Sequence, residues 1–168
     1  MALEAAIQQT LIPALTGRAT CSDLERELLA LPARLGGMAL ANPATKAGEI
    51  FAASEEFTMP LVALIVSQES NQVIEAGQIM SIKQDIRHKN RQKQDKKAKE
   101  VYDHLSPHLQ RAVDLAKEKG SSPWLTVTPL EEHGFYLNKG EFRDALCLRY
   151  GWTLNNPPQT CNCGTACS

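Results

Sequence analysis

Long apolar runs are missing from this sequence of 168 residues. The most apolar stretch, Leu61–Val66, is far shorter than the roughly 20 residues that a membrane-spanning helix needs. The first ten residues, MALEAAIQQT, contain no basic residue and carry Glu4, so they do not fit a secretory signal. We therefore expect an intracellular protein, in the nucleus or the cytoplasm, that has no membrane partner.

Catalytic signatures are missing as well. The sequence has no nucleophile elbow, no phosphate-binding loop, no zinc-protease helix and no pair of adjacent aspartates of the polymerase kind. We therefore expect no catalytic centre, no enzyme activity and no cofactor.

Aromatic residues are few, at 5% of the chain, but they are unevenly placed. Six of the nine fall between residues 124 and 152, which predicts a small aromatic-rich packing unit near the C-terminus. Within it, Leu125–Thr128 alternates apolar and polar residues as a strand does, and Gly134–Leu137 could be its partner in a short β-hairpin.

Helical spacing dominates the rest of the chain. Leu3, Ile7, Leu11 and Leu15 recur every four residues and predict one apolar helical face, which Pro13 should kink. Together with further periodic segments, this pattern predicts a mostly α fold. We expect an irregular helical bundle that contains one long basic helix and the small aromatic-rich unit.

Local signals predict where several helices begin and end. Ser22 and Glu25 fit a capping box, and Asn42 followed by Pro43 fits a helix start. Thr58–Pro60 is expected to interrupt the helix that starts at Asn42 and Pro43. The chain then divides into a helical part over 1–71, a long basic helix over 72–105, a helix with the aromatic-rich unit over 106–152, and a flexible tail over 153–168.

The basic segment is the least balanced part of the chain in charge. From Lys83 to Lys99, eight cations stand against Asp85 and Asp95, which gives +6, whereas the whole chain carries −1. A solvated cationic helix of this kind could neutralise the phosphates of RNA or DNA without sequence preference. The alternative is a solvated helix or linker with no ligand. The candidate nucleic-acid-binding residues are Lys83, Arg87, Lys89, Arg91, Lys93, Lys96, Lys97 and Lys99.

Cysteine is concentrated at the C-terminus. Cys161 and Cys163 form a tight Cys-x-Cys-Gly turn, a common way to present two thiolates to one zinc ion. Cys167 is a possible third ligand, but a structural site needs four. Half of a zinc site is one interpretation, and ordinary reduced cysteines in a tail are the other.

Two stretches together resemble a known family. Residues 28–40, LLALPARLGGMAL, and residues 122–152, which lead to Cys161-Asn-Cys163-Gly164, are similar to the region that follows the polymerase palm in reverse transcriptases of non-LTR-type retrotransposons. Ala39 stands where such elements usually have glycine. The resemblance implies a helical thumb and connector followed by a Cys/His segment, with the remaining zinc ligands beyond residue 168.

From these observations we expect a noncatalytic piece of a retrotransposon reverse transcriptase that contacts nucleic-acid backbone through its basic helix. One alternative is a helical protein-interaction module whose basic helix serves only solubility. The other alternative is a nonfunctional remnant of a transposon reading frame.

Overall fold

The computed structural model describes residues 2–68 and 76–154, and within these ranges its regular elements are all helical. The predicted mostly α fold is therefore confirmed. The α-helices are α1 (Ala2–Ala6), α2 (Ile12–Thr16), α3 (Asp23–Ala30), α4 (Pro43–Ser67), α5 (Ala76–His104), α6 (Pro107–Lys117) and α7 (Lys139–Tyr150). A π-helical turn, Ile7–Leu11, joins α1 to α2, and short 3₁₀ turns lie at Ala33–Leu35, Pro123–Leu125 and Glu131–His133.

The π turn explains why the predicted face of the first helix is wrong. Pro13 lacks an N–H and crowds the preceding turn, and the wider π turn just before it relieves that crowding. The extra residue per turn rotates the helix, so Ile12 is buried at 1% exposure, whereas Leu3 and Leu11 are 61% and 41% exposed. Ile7 still packs against the core.

The predicted helix caps are confirmed, because they depend only on neighbouring residues. The Ser22 hydroxyl accepts from the Glu25 N–H, and the Glu25 carboxylate accepts from the Ser22 N–H. The Asn42 side chain accepts from the first-turn N–H groups of α4. Ser106 caps α6 in the same way, and Asn138 with Glu141 forms a second capping box at α7.

One hydrophobic core joins helices from both ends of the chain. Its buried members come from α2, α3, the last two turns of α5, α6 and α7: Ile12, Leu28, Leu29, Leu31, Ala98, Val101, Leu105, Val113, Leu146 and Tyr150. The predicted aromatic packing is present in part, since Trp124 meets Phe142 edge-on at 5.8 Å. Phe135 and Tyr136 are more than half exposed.

A pair of helices extends away from this core. No residue of α4 is buried, and among the residues of α5 whose burial the structure describes, the buried ones begin at Ala98. The two helices contact each other, and Lys89 of α5 reaches Glu56 of α4. We call α4 together with residues 76–97 of α5 the arm.

The predicted interruption of α4 at Thr58–Pro60 is wrong, because the helix continues through Pro60 to Ser67. An interior proline removes one backbone hydrogen bond and can kink a helix without ending it, and α4 also packs against α5. Continuity also gives α4 the length and mean hydropathy, 1.5 over 18 residues, of a membrane-spanning helix, and none of that window is buried. Absence of a membrane partner remains our prediction, since Glu55 and Glu56 lie inside the segment.

The possible β-hairpin does not form in the described residues. Pro123 and Pro129 lack the N–H groups that a strand ladder needs, and Gly134 adopts a left-handed conformation at φ +68°. The backbone bonds locally instead, with the N–H groups of Thr126 and Val127 both donating to the carbonyl oxygen of Pro123. Turns therefore replace the strands.

Candidate nucleic-acid interface

All eight predicted cations lie on α5, and every one of them is exposed. The segment that carries them is helical from Ala76, and residues 72–75 of the predicted helix lie outside the described ranges. A helix turns by 100° per residue, so cations four residues apart form rows on its surface. The eight cations therefore do not form one uniform surface, and their rows differ in what they contact.

Lys89, Lys93 and Lys97 form one row, which we call the paired row. It faces carboxylates on the neighbouring helices. Lys89 Nζ lies 2.8 Å from Glu56 Oε1 of α4, and Lys97 Nζ lies 3.1 Å from Glu27 Oε1 of α3. These contacts are exposed, so each adds little stability by itself. They do neutralise two of the predicted phosphate-binding cations.

The pKa values follow this pairing. The hydrogen bond to Glu56, reinforced by the charge of that carboxylate, raises the pKa of Lys89. The hydrogen bond from Lys46 lowers the pKa of Glu49, and the charge of Lys93 lowers it further. Lys93 lies on the wall of a cavity of about 410 Å³ between α3, α4 and α5, with Lys46 and Glu49 on the same wall. The paired row thus belongs to a local charge network.

Lys83, Arg87 and Arg91 form a second row, which we call the outer row. It lies about 120° around the helix from the paired row. Among the described residues, no carboxylate lies within ion-pair distance of these three side chains. Successive side chains of the row are about 6 Å apart along the helix axis. The outer row is therefore a line of positive charge on the arm that no described carboxylate neutralises.

The two remaining cations, Lys96 and Lys99, are exposed nearer the core and make no ion pair within the described ranges. Asp95 lies between the two rows. Its carboxylate binds Arg34 Nη1 at 2.7 Å, so it does not neutralise a cation of either row. Arg34 also donates to the Gln94 side chain at 3.1 Å. The 3₁₀ turn that carries Arg34 thereby removes one of the two acidic charges of the basic segment.

Sequence reasoning missed the carboxylates that face the paired row. Glu49 and Glu56 are seven residues apart on α4, two helical turns, and so lie on one face. This shared glutamate face is the signal in the sequence that could have indicated a partner surface for the lysine row. Lys89 has a carboxylate within 4 Å, whereas Lys93 has none among the described residues.

The predicted zinc ligands Cys161 and Cys163 lie outside the described residues. Within residues 2–68 and 76–154, no group of three or more His, Cys, Asp or Glu side chains could hold a metal ion. Cys147, which is described, is buried, and burial raises the pKa of its thiol. Such a thiol is a poor metal ligand and a poor nucleophile at neutral pH.

No protein-family model, no curated protein and no solved structure matches this chain. The resemblance to non-LTR retrotransposon reverse transcriptases therefore remains a prediction from the sequence.

Proposed function

We propose that this chain is a noncatalytic, nucleic-acid-binding segment of an intracellular retrotransposon-type reverse transcriptase. In this proposal the outer row, Lys83, Arg87 and Arg91, contacts the phosphate backbone of RNA or DNA. The observation that carries it is the unneutralised line of cations on an arm that extends from the core. The proposal gives the segment no catalytic step and no cofactor.

The spacing of the outer row supports backbone contact without base recognition. Its three side chains cover about 12 Å along the helix, against about 3.4 Å between phosphates of one strand of a duplex. Three to four phosphates therefore lie within reach of the row. The row consists only of lysine and arginine on an exposed helix face, and such side chains bind phosphate oxygens whatever the base sequence. We therefore expect affinity to depend more on salt than on sequence.

Two triple variants with equal charge change test the assignment. Lys83→Gln, Arg87→Gln and Arg91→Gln together remove the outer row, and Lys89→Gln, Lys93→Gln and Lys97→Gln together remove the paired row. Each combination changes the net charge of the chain from −1 to −4. Long-range electrostatics are thus matched, and only direct phosphate contacts differ.

Fluorescence anisotropy with a labelled single-stranded oligonucleotide, repeated over a salt series, gives the measurement. Loss of the outer row should reduce the slope of log affinity against log salt by about 2, since each phosphate contact on a single strand contributes about 0.7. Loss of the paired row should change the slope much less. Equal slopes for the two variants would remove the outer row from the mechanism.

The exposed apolar surface of α4 favours the second candidate, a protein-interaction module. Ile50 and Phe51 are both 66% exposed. Large apolar side chains grouped on a helix surface commonly mark a binding site. If the unmodified chain shows no salt-dependent binding to the oligonucleotide, the first candidate is rejected, and the protein-interaction module and the nonfunctional remnant are left.

A further inference from the structure

A second surface lies between α6 and α7, on helices that are not part of the basic arm. The two helices enclose an open groove of about 810 Å³ whose walls carry leucine side chains. Leu115 of α6 is 53% exposed, Leu148 of α7 is 72% exposed, and Leu137, just before α7, is 41% exposed. Leucines this exposed, grouped around one concave surface, are typical of a docking site.

The ionisable residues that line the groove are all basic types. His108 and Arg111 of α6 and Arg149 of α7 line it, and no aspartate or glutamate does. Neither arginine has a carboxylate within 4 Å among the described residues. The groove therefore combines an apolar surface with positive charge. A partner surface that matches it is apolar and carries negative charge.

Arg149 makes this imbalance unusual, because it is only 9% exposed. Its guanidinium donates to neutral groups: Nη1 to the Ser122 hydroxyl at 3.0 Å and to the Ser121 carbonyl at 3.4 Å, and Nη2 to the Ala33 and Gly37 carbonyls at 3.4 Å. Its Nε has no hydrogen-bond partner in the described part of the chain. A buried cation normally pairs with a carboxylate, and here no acid is present to do so.

We infer that the groove between α6 and α7 binds an acidic amphipathic helix of another protein, whose leucine-like side chains contact Leu115 and Leu148 and whose carboxylates face Arg111 and Arg149. The residues that follow this region, 155–168, contain no aspartate or glutamate and so cannot supply those carboxylates. This inference is independent of the proposed nucleic-acid contact, which uses another helix.

The groove fits a protein helix better than a nucleic-acid strand. Its aromatic residue, Trp124, is packed edge-on against Phe142, and the indole N–H donates to the Ser121 carbonyl. It is therefore already engaged and not laid out as a stacking platform for bases. Exposed leucines bury apolar area well against a helix and poorly against a sugar-phosphate backbone.

Three synthetic peptides serve as probes. Each forms an amphipathic helix with leucines on one face, and the flanking positions carry glutamate in the first, glutamine in the second and lysine in the third. Fluorescence anisotropy with labelled peptides should show the glutamate peptide binding the whole chain at least about tenfold tighter than the glutamine peptide, since a charge-assisted hydrogen bond contributes about that factor. Equal affinity for both would overturn the electrostatic part of the inference.

Variants at exposed positions locate the binding without disturbing the core. Leu115→Ser should weaken the glutamate peptide, whereas Met80→Ser on the arm, at a nearly equal 51% exposure, should not. Arg111→Glu leaves one negative charge against the positive charge of Arg149, so it should abolish the preference for the glutamate peptide over the lysine peptide, whereas Lys119→Glu, which lies outside the groove lining, should keep it. Circular dichroism melting checks that each variant is folded.

Two outcomes would reject the groove as a protein-docking site. One is a Leu115→Ser or Arg111→Glu variant that is folded and binds the peptides as the unmodified chain does. The other is loss of oligonucleotide affinity in those variants with no peptide binding by the unmodified chain, which would assign the groove to nucleic acid.

Discussion

The phenol of Tyr150 donates a hydrogen bond to the carbonyl oxygen of Gly36 across 3.1 Å, with both residues buried. Tyr150 closes α7 and Gly36 lies in the turn after α3, so this bond joins the two stretches on which the family resemblance depends. Burial raises the pKa of Tyr150, although the hydrogen bond and charge of Arg149 oppose that effect. The phenol therefore stays neutral and keeps the proton that it donates.

Tyr150→Phe should destabilise the protein by about 1–3 kcal/mol, because the Gly36 carbonyl would lose its donor in a buried site. Tyr102→Phe is the matched control, since it removes one hydroxyl whose hydrogen bond, to Asp114 at 2.7 Å, is exposed. Urea denaturation of the two variants measures the difference. A Tyr150→Phe variant as stable as Tyr102→Phe would show that the buried bond contributes nothing net.

The capping box at α3 should make stability depend on acid. Burial alone would raise the pKa of Glu25, but the hydrogen bonds from Arg18 and Ser22 outweigh it, and the pKa is lowered. A carboxyl whose pKa is lower when folded contributes stability above its unfolded pKa of about 4.3, and that stability is lost as the pH falls through the folded value.

The melting temperature of the unmodified chain should therefore exceed that of Glu25→Gln at pH 6, and the gap should narrow as the pH falls from about 5 to about 3. Arg18→Gln removes the partner that lowers the pKa of Glu25 most. In an Arg18→Gln background, the difference in melting temperature caused by Glu25→Gln should therefore narrow over a higher pH range. A difference in melting temperature between Glu25→Gln and the unmodified chain that stays constant across this pH range would contradict the lowered pKa of Glu25.

Features that depend on neighbouring residues could be predicted from the sequence, whereas features that depend on tertiary packing could not. Ser22 and Asn42 cap their helices through bonds to residues two or three positions away, so the caps could be predicted from the sequence. The face of the first helix could not, because the π turn before Pro13 moves Ile12 into the core by one extra residue. Periodicity alone assumes a uniform turn.

The same distinction holds for the candidate interface. The net charge of the basic segment and its helical form could be predicted from composition and the absence of breakers. Which lysines are already neutralised depends on how α4 and α3 lie against α5, as in the pairs of Lys89 with Glu56 and Lys97 with Glu27. The division into a paired row and an outer row therefore required the structure.

The turn that follows α3 holds an alanine in a conformation that suits glycine. Ala39 has φ +58°, and hydrogen bonds fix it there: its N–H donates to the Leu31 carbonyl at 2.8 Å, and its own carbonyl accepts from Ala41 at 2.9 Å. The left-handed region costs a residue with a Cβ about 1–2 kcal/mol. The Ala39 side chain is exposed, so removing its methyl group leaves no cavity.

Ala39→Gly should therefore stabilise the protein. Relief of about 1–2 kcal/mol of strain outweighs the roughly 0.5–1 kcal/mol that glycine loses through its more flexible unfolded state, which leaves a net gain of up to about 1.5 kcal/mol. Ala41→Gly is the matched control, because Ala41 is also exposed but does not have a positive φ. Ala41→Gly relieves no strain and has only the entropic cost of a more flexible unfolded chain, so it should lower the free energy of unfolding by up to about 1 kcal/mol. Opposite shifts of the urea midpoint for the two variants would confirm the strain at Ala39, whereas a loss of stability in both would show that the turn relaxes around its alanine.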